Sequence, residues 1–154
     1  MNAPAGISRI LEPTRRTMDT FEQSPEFMGS AMSVVVGISA EEEAEHHRVG
    51  ITQQWFYEAL LVAESENQLL PETDCMQLSQ LLAASQWGVT LMWQKGLISL
   101  ETLKRQTTIK HCLDLMPFCR TETAEWLNEL LSSTMKSPRS GSNRATAIEA
   151  RVAI

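Results

Sequence analysis

Helix punctuation recurs along this chain more densely than any other signal, and it confines what the chain can fold into. Ser24 before Pro25, Ser39 with Glu42 three residues on, Asp74 with Gln77 three residues on, Ser99 and Thr121 are all residue patterns that open helices. A short polar side chain accepts from the free amides of a first turn, and a proline there gives up no hydrogen bond. Gly37, Asn67 followed by Pro71, Gly96 and Pro117 are the matching stops. Glu12-Pro13 reads as a further start, with Met18 and Phe21 as its apolar positions. Between these marks apolar residues recur at helical spacing, as in Ile51, Trp55, Ala59 and Ala63. Val34, Val35 and Val36 favour a strand locally, but the start at Ser24-Pro25 predicts a helix that runs on to Gly37. No segment alternates as a half-buried strand does, and no internal repeat is visible. The reading is all-α: an antiparallel bundle of five to six helices over residues 1–134. The stretch 135–154 carries Lys136-Ser137-Pro138-Arg139-Ser140-Gly141 and little that can be buried, and is expected to be a disordered tail.

The helix predicted from Asp74 to Gly96 has apolar residues on nearly all sides, so it should be covered on more than one face. Leu81, Ser85, Gly88 and Met92 form one stripe, with Ala83 and Trp87 roughly opposite. A glycine inside a helix costs about 1 kcal/mol relative to alanine and persists most readily where another backbone comes close. One stripe is therefore expected to pack inside the protomer and the other against a second copy. In the next helix, Leu100 to Met116, the residues Ile109, Cys112, Leu113 and Met116 read as one face.

Charge and composition narrow the function classes. The chain of 154 residues has a net charge of −6. The end from Lys136 onward carries +3, which leaves −9 for the rest. Such a body is not expected to hold DNA or an anionic membrane by itself. No apolar run approaches the roughly 18 residues of a membrane span, and Met1 to Gly6 lack the apolar stretch of a secretory signal. Cys75, Cys112 and Cys119 are odd in number and form no CxxC pair, so free thiols in the cytoplasm are expected. His46 and His47 point about 100° apart on a helix and do not share a metal. No phosphate loop, nucleophile elbow or zinc helix motif is present. No catalytic set, metal or cofactor is expected. Trp55, Phe56 and Trp87 on the two longest helices, with Met28 and Met32, suit either a core or the lining of an apolar cavity between helices.

The order of elements resembles the C-terminal domain of TetR-family transcriptional regulators. Phe21-Glu22-Gln23-Ser24-Pro25-Glu26-Phe27 is similar to the F-x-x-x-P-E-L junction that follows their DNA-binding part. Asn67 to Asp74 is similar to the turn before the penultimate helix, and Gln86-Trp87-Gly88 through Gly96 to the Gly-and-Trp pattern of that helix. The likeness runs over about residues 9 to 117. It implies a helical bundle, a small-molecule pocket in each subunit, and dimerisation through the last two family helices. Carried over, the pocket draws on Met28, Met32, Trp55, Phe56, Ala59, Trp87 and Leu91. The interface draws on Leu81, Ser85, Gly88, Met92 and Leu113. The family's three-helix DNA-binding unit does not fit ahead of the first predicted helix, and the segment beyond Thr121 is an addition or a replaced end.

The expectation is an effector-binding and dimerisation domain without its own helix-turn-helix. It takes a small apolar effector and pairs as a homodimer or with a full-length relative. A helical protein–protein interaction module, adaptor-like or chaperone-like and without a cavity, is the alternative.

Overall fold

The computed structural model describes residues 4–24, 26 and 48–136. The expected helix from Ser24-Pro25 to Gly37, the Ser39–Glu42 box, Met28, Met32, His46, His47 and most of the expected tail lie outside the described residues. Five α-helices are present: α1 (Ala5–Gln23), α2 (Arg48–Ser65), α3 (Cys75–Gln94), α4 (Leu100–Leu115) and α5 (Thr121–Lys136). A 3-10 turn, Met116–Phe118, joins the last two. The all-helical class holds among the described residues, whose extended pairing is limited to an isolated bridge between Leu69 and Cys119. No described helix is long and apolar enough to cross a membrane.

Most of the boundaries follow from the local signals. Asp74 Oδ1 accepts from the amides of Met76 and Gln77, each at 3.0 Å, and opens α3. Ser99 Oγ accepts from Thr102 N at 3.1 Å and opens α4. Asn67 closes α2 in the left-handed region at φ 55°, with Gln68 N donating back to Ala63 O at 2.8 Å. Gly96 closes α3 at φ 71°, and Leu97 N reaches Met92 O at 2.9 Å. These are the residues that tolerate that conformation, and the backward bonds satisfy carbonyls a helix end leaves open.

The first helix corrects the sequence reading. Glu12-Pro13 is not a start: α1 begins at Ala5 after Pro4 and runs through Pro13 without a break. Proline at that position forfeits the amide bond to the carbonyl of Arg9, which sits on the exposed side of the helix. Burial of Ile7 and Ile10 before it and Met18 after it holds the two halves in one line. No side chain caps the start locally. Glu66 Oε2 accepts from Gly6 N at 3.0 Å and Gln68 Oε1 from Ile7 N at 3.1 Å, so the end of α2 serves the free amides of α1.

Helices α1 to α4 close a four-membered ring, each touching the next and α1 touching both α2 and α4. Ile7, Ile10, Leu60, Leu82, Leu115 and Leu127 are its fully buried centre. The last helix packs on α4 and the 3-10 turn and supplies Leu127, so it belongs to the core rather than to an appendage. It continues to Lys136, two residues past the expected domain end at 134. The loop between α2 and α3 is tied to the α4–α5 junction by backbone bonds, Leu70 N to Phe118 O and Arg120 N to Gln68 O, both 2.9 Å. All three cysteines are free and buried, as their lack of a pairing pattern implied.

Candidate ligand cleft

Helices α1, α2 and α3 do not fill the space between them. A cleft of about 520 Å³ is left, walled by Ile10, Thr14 and Met18 of α1, Thr52, Trp55, Phe56, Ala59 and Val62 of α2, and Gln86, Trp87 and Thr90 of α3. Arg9, Thr17 and Glu58 also border it. Trp55, Phe56, Ala59 and Trp87 are four of the five described residues the sequence assigned to a pocket, and the fold brings them to one cavity. Leu91 is half-buried on α3 and is not among the wall residues. The threonines and Gln86 were missed, since a polar residue on an inward face leaves no mark in the apolar periodicity.

The wall is apolar with a few polar atoms set into it, the usual constitution of a small-molecule site. Two of those atoms are buried without a hydrogen-bond partner: Trp87 Nε1, a donor, and Gln86 Oε1, an acceptor. An orphaned buried polar group costs about 1–3 kcal/mol. Both belong to residues of the cleft wall and are covered in this structure, so a ligand that carries one acceptor and one donor reaches them after a small side-chain movement.

A second cavity of about 340 Å³ lies between α1 and α4, lined by Leu11, Thr14, Arg15, Met18 and Asp19 from the first and Lys104, Arg105, Thr107, Thr108 and His111 from the second. Thr14 and Met18 line both cavities. His111 is fully buried, and its ring meets Phe56 edge-on at 5.5 Å between centroids. Burial, and to a lesser degree the charge of Lys110, hold its pKa well below the ordinary value, so the imidazole is neutral. Neither ring nitrogen has a partner, nor do Thr107 Oγ1 and Arg105 Nε.

The outer face of α3 and α4 carries the expected interface residues. Leu81, Met92 and Leu113 are 50%, 40% and 54% exposed. Gly88 is exposed, and an added Cβ there would meet nothing within 4 Å. Leu113 and Cys112 do not share a face as the sequence suggested: Cys112 is fully buried, because neighbours on a helix diverge by about 100°. Ser85 is half-buried and already engaged. It donates to Asp114 Oδ2 at 2.9 Å and accepts from Lys110 Nζ at 2.9 Å, while Lys110 and Asp114 pair at 3.5 Å.

Lys110 in this group is 12% exposed. Burial brings its pKa down to about 8, partly offset by Asp114. Its folded pKa thus lies below the unfolded value of about 10.4, so the unfolded chain binds more protons between them and stability rises with pH in that window. Cys112 and Cys119 oppose this, since burial raises their pKa values to about 11 and about 12 and stability is lost above about pH 8.5. The lysine is isolated by difference. Relative to Lys110→Met, the unmodified chain should gain about 1 kcal/mol between pH 7.5 and 9 in urea titrations. Parallel pH profiles for the two would show that Lys110 is not buried.

An all-helical protein with an apolar cleft inside its bundle and an exposed apolar face on one helix pair is the class that fold and site define. Comparison with family models, with curated proteins and with solved structures found no match. Among the described residues no three side chains of metal-ligating type come together.

Proposed function

We propose that this chain is a small-molecule-sensing and dimerising helical domain of the kind found in TetR-like regulators. The cleft between α1, α2 and α3 takes an apolar effector that carries one hydrogen-bonding group. The observation that supports it most is the cleft itself: a cavity walled by Trp55, Phe56, Ala59 and Trp87 that retains an unpaired indole N–H. In this reading Trp55 and Phe56 provide apolar contact, and Trp87 Nε1 orients the ligand through its acceptor.

Thermal denaturation with medium-chain alcohols such as decanol tests the cleft. Ligand at 100 times its Kd adds about 2.7 kcal/mol to stability. Trp87→Phe keeps the wall and removes the donor, and it should weaken decanol binding by about threefold to tenfold, the worth of one hydrogen bond. A broad panel of apolar compounds without any thermal response would sink the reading.

The second part of the proposal is pairing through the outer face of α3 and α4, in a homodimer or with a full-length relative. Leu81, Gly88, Met92 and Leu113 form its contact. Gly88→Leu should leave the protomer folded, because nothing in it occupies the space a side chain would take, and should break the dimer. Light scattering reads this directly, and a wild-type monomer at micromolar concentration removes the claim. The same exposed face also suits a helical module that holds a different protein. That alternative is favoured if the chain is monomeric and the cleft takes no ligand.

A further inference from the structure

The cavity between α1 and α4 contains the largest group of unsatisfied donors among the described residues, and its chemistry differs from that of the apolar cleft beside it. Thr107 and His111 are both buried, one turn apart on α4. Thr107 Oγ1, both His111 ring nitrogens and Arg105 Nε have no partner, and all three residues line the cavity. A neutral imidazole has one N–H, so three residues that line this one cavity each carry a donor without a partner: guanidinium, hydroxyl and imidazole.

The charges there are not equivalent. Lys104 is held by Asp19 and Glu22. Arg15 is paired with Glu12 at 2.7 Å. Arg105 donates through Nη2 to a neutral group, the carbonyl of Met135 at 3.0 Å, and forms no ion pair among the described residues. Among the described residues, then, its positive charge has no acidic partner, and it lies beside a buried hydroxyl and a buried ring. A carboxylate answers this set: it accepts at up to four positions, pairs with a guanidinium, and offers no proton that the donors must avoid. An ammonium group would be repelled, and a lone carbonyl would leave the guanidinium charge unanswered.

We propose that the α1–α4 cavity is a carboxylate-binding compartment, with Arg105 Nε, Thr107 Oγ1 and a ring nitrogen of His111 as its donors. The carboxylate has two possible sources: the head of an amphipathic acid whose chain lies in the apolar cleft, or a free small acid. The two cavities share Thr14 and Met18, and the Phe56–His111 ring pair stands between them. For the amphipathic source the inference rests on the ligand-binding reading of the cleft; for the free acid it does not.

Calorimetric titration of the full chain at pH 7.5 with decanoate, decanol and acetate tests it. Decanoate is expected to bind at least tenfold more tightly than decanol. Thr107→Val, which is nearly isosteric, and Arg105→Gln should each abolish that advantage and leave decanol binding unchanged. His111→Leu should melt at a higher temperature, because it removes two unpaired buried nitrogens, and yet bind decanoate more weakly. A merely structural histidine would not separate those two readouts. Acetate binding that is lost in Arg105→Gln and Thr107→Val supports the compartment with a free acid as its source. Equal affinity for decanoate and decanol without acetate binding, or a decanoate advantage that survives both substitutions, overturns the compartment and leaves the cleft standing. If none of the three binds, both fall.

Discussion

Gly6→Val is expected to dislodge α1 from the bundle and to lower stability by about 3 kcal/mol. A Cβ at Gly6 would lie 2.5 Å from the backbone nitrogen of Ala63 and 2.8 Å from its Cβ, well inside van der Waals contact. The obstacle is helix backbone, so no rotamer change relieves it. Nor can α2 retreat, because Ala59, Leu60 and Ala63 are all buried at that contact. Separation of the helices would also draw Gly6 N and Ile7 N away from Glu66 and Gln68, and their amides have no local cap to replace those acceptors. Urea denaturation followed by circular dichroism measures the loss. Gly88→Ala is the control: it meets nothing within 4 Å and should gain up to about 1 kcal/mol from helix propensity. Wild-type stability in Gly6→Val would mean that α1 does not lie against α2 at this point.

Leu127→Ala should cost about 2–5 kcal/mol, the range for removing a fully buried leucine and leaving a cavity. Leu127 is 0% exposed and belongs to the same cluster as Leu60, Leu82 and Leu115. Arg105 Nη2 reaches Met135 O at the far end of α5, so the helix is fastened along its length and the void cannot close by local sliding. The comparison that isolates the effect is Leu130→Ala, at a half-buried position one turn along, where the loss should be clearly smaller. Equal small losses at the two positions would make α5 the detachable addition that the family resemblance suggested.

The parts of this fold that were legible in the sequence are those decided within a few residues. Asp74, Ser99, Asn67 and Gly96 act through bonds to their own turn, and the rules for such turns apply anywhere. The start of α1 is different: its free amides find acceptors about sixty residues away, at Glu66 and Gln68, and no local pattern announces that. Pro13 was read by its local preference, and packing on either side overruled it. The aromatic wall of the cleft was legible because Trp55, Phe56, Ala59 and Trp87 sit at helical spacing on two long helices. His111 was not, since its burial depends on packing between helices, Phe56 of α2 among its contacts, and a single histidine beside a cysteine has no distinguishing pattern.

The loop contacts give the bundle two unlike poles. At one, the start of α1, the end of α2, and the α4–α5 junction meet, with Thr73 Oγ1 donating to Phe118 O at 3.4 Å and Arg120 Nε to Leu69 O at 3.1 Å in addition to the backbone bonds. At the other, the end of α1 is joined to the start of α4 through the exposed ion pairs of Lys104 with Asp19 and Glu22. Opening the bundle at the sewn end has to break several bonds from four segments together, so local unfolding is expected to start away from it.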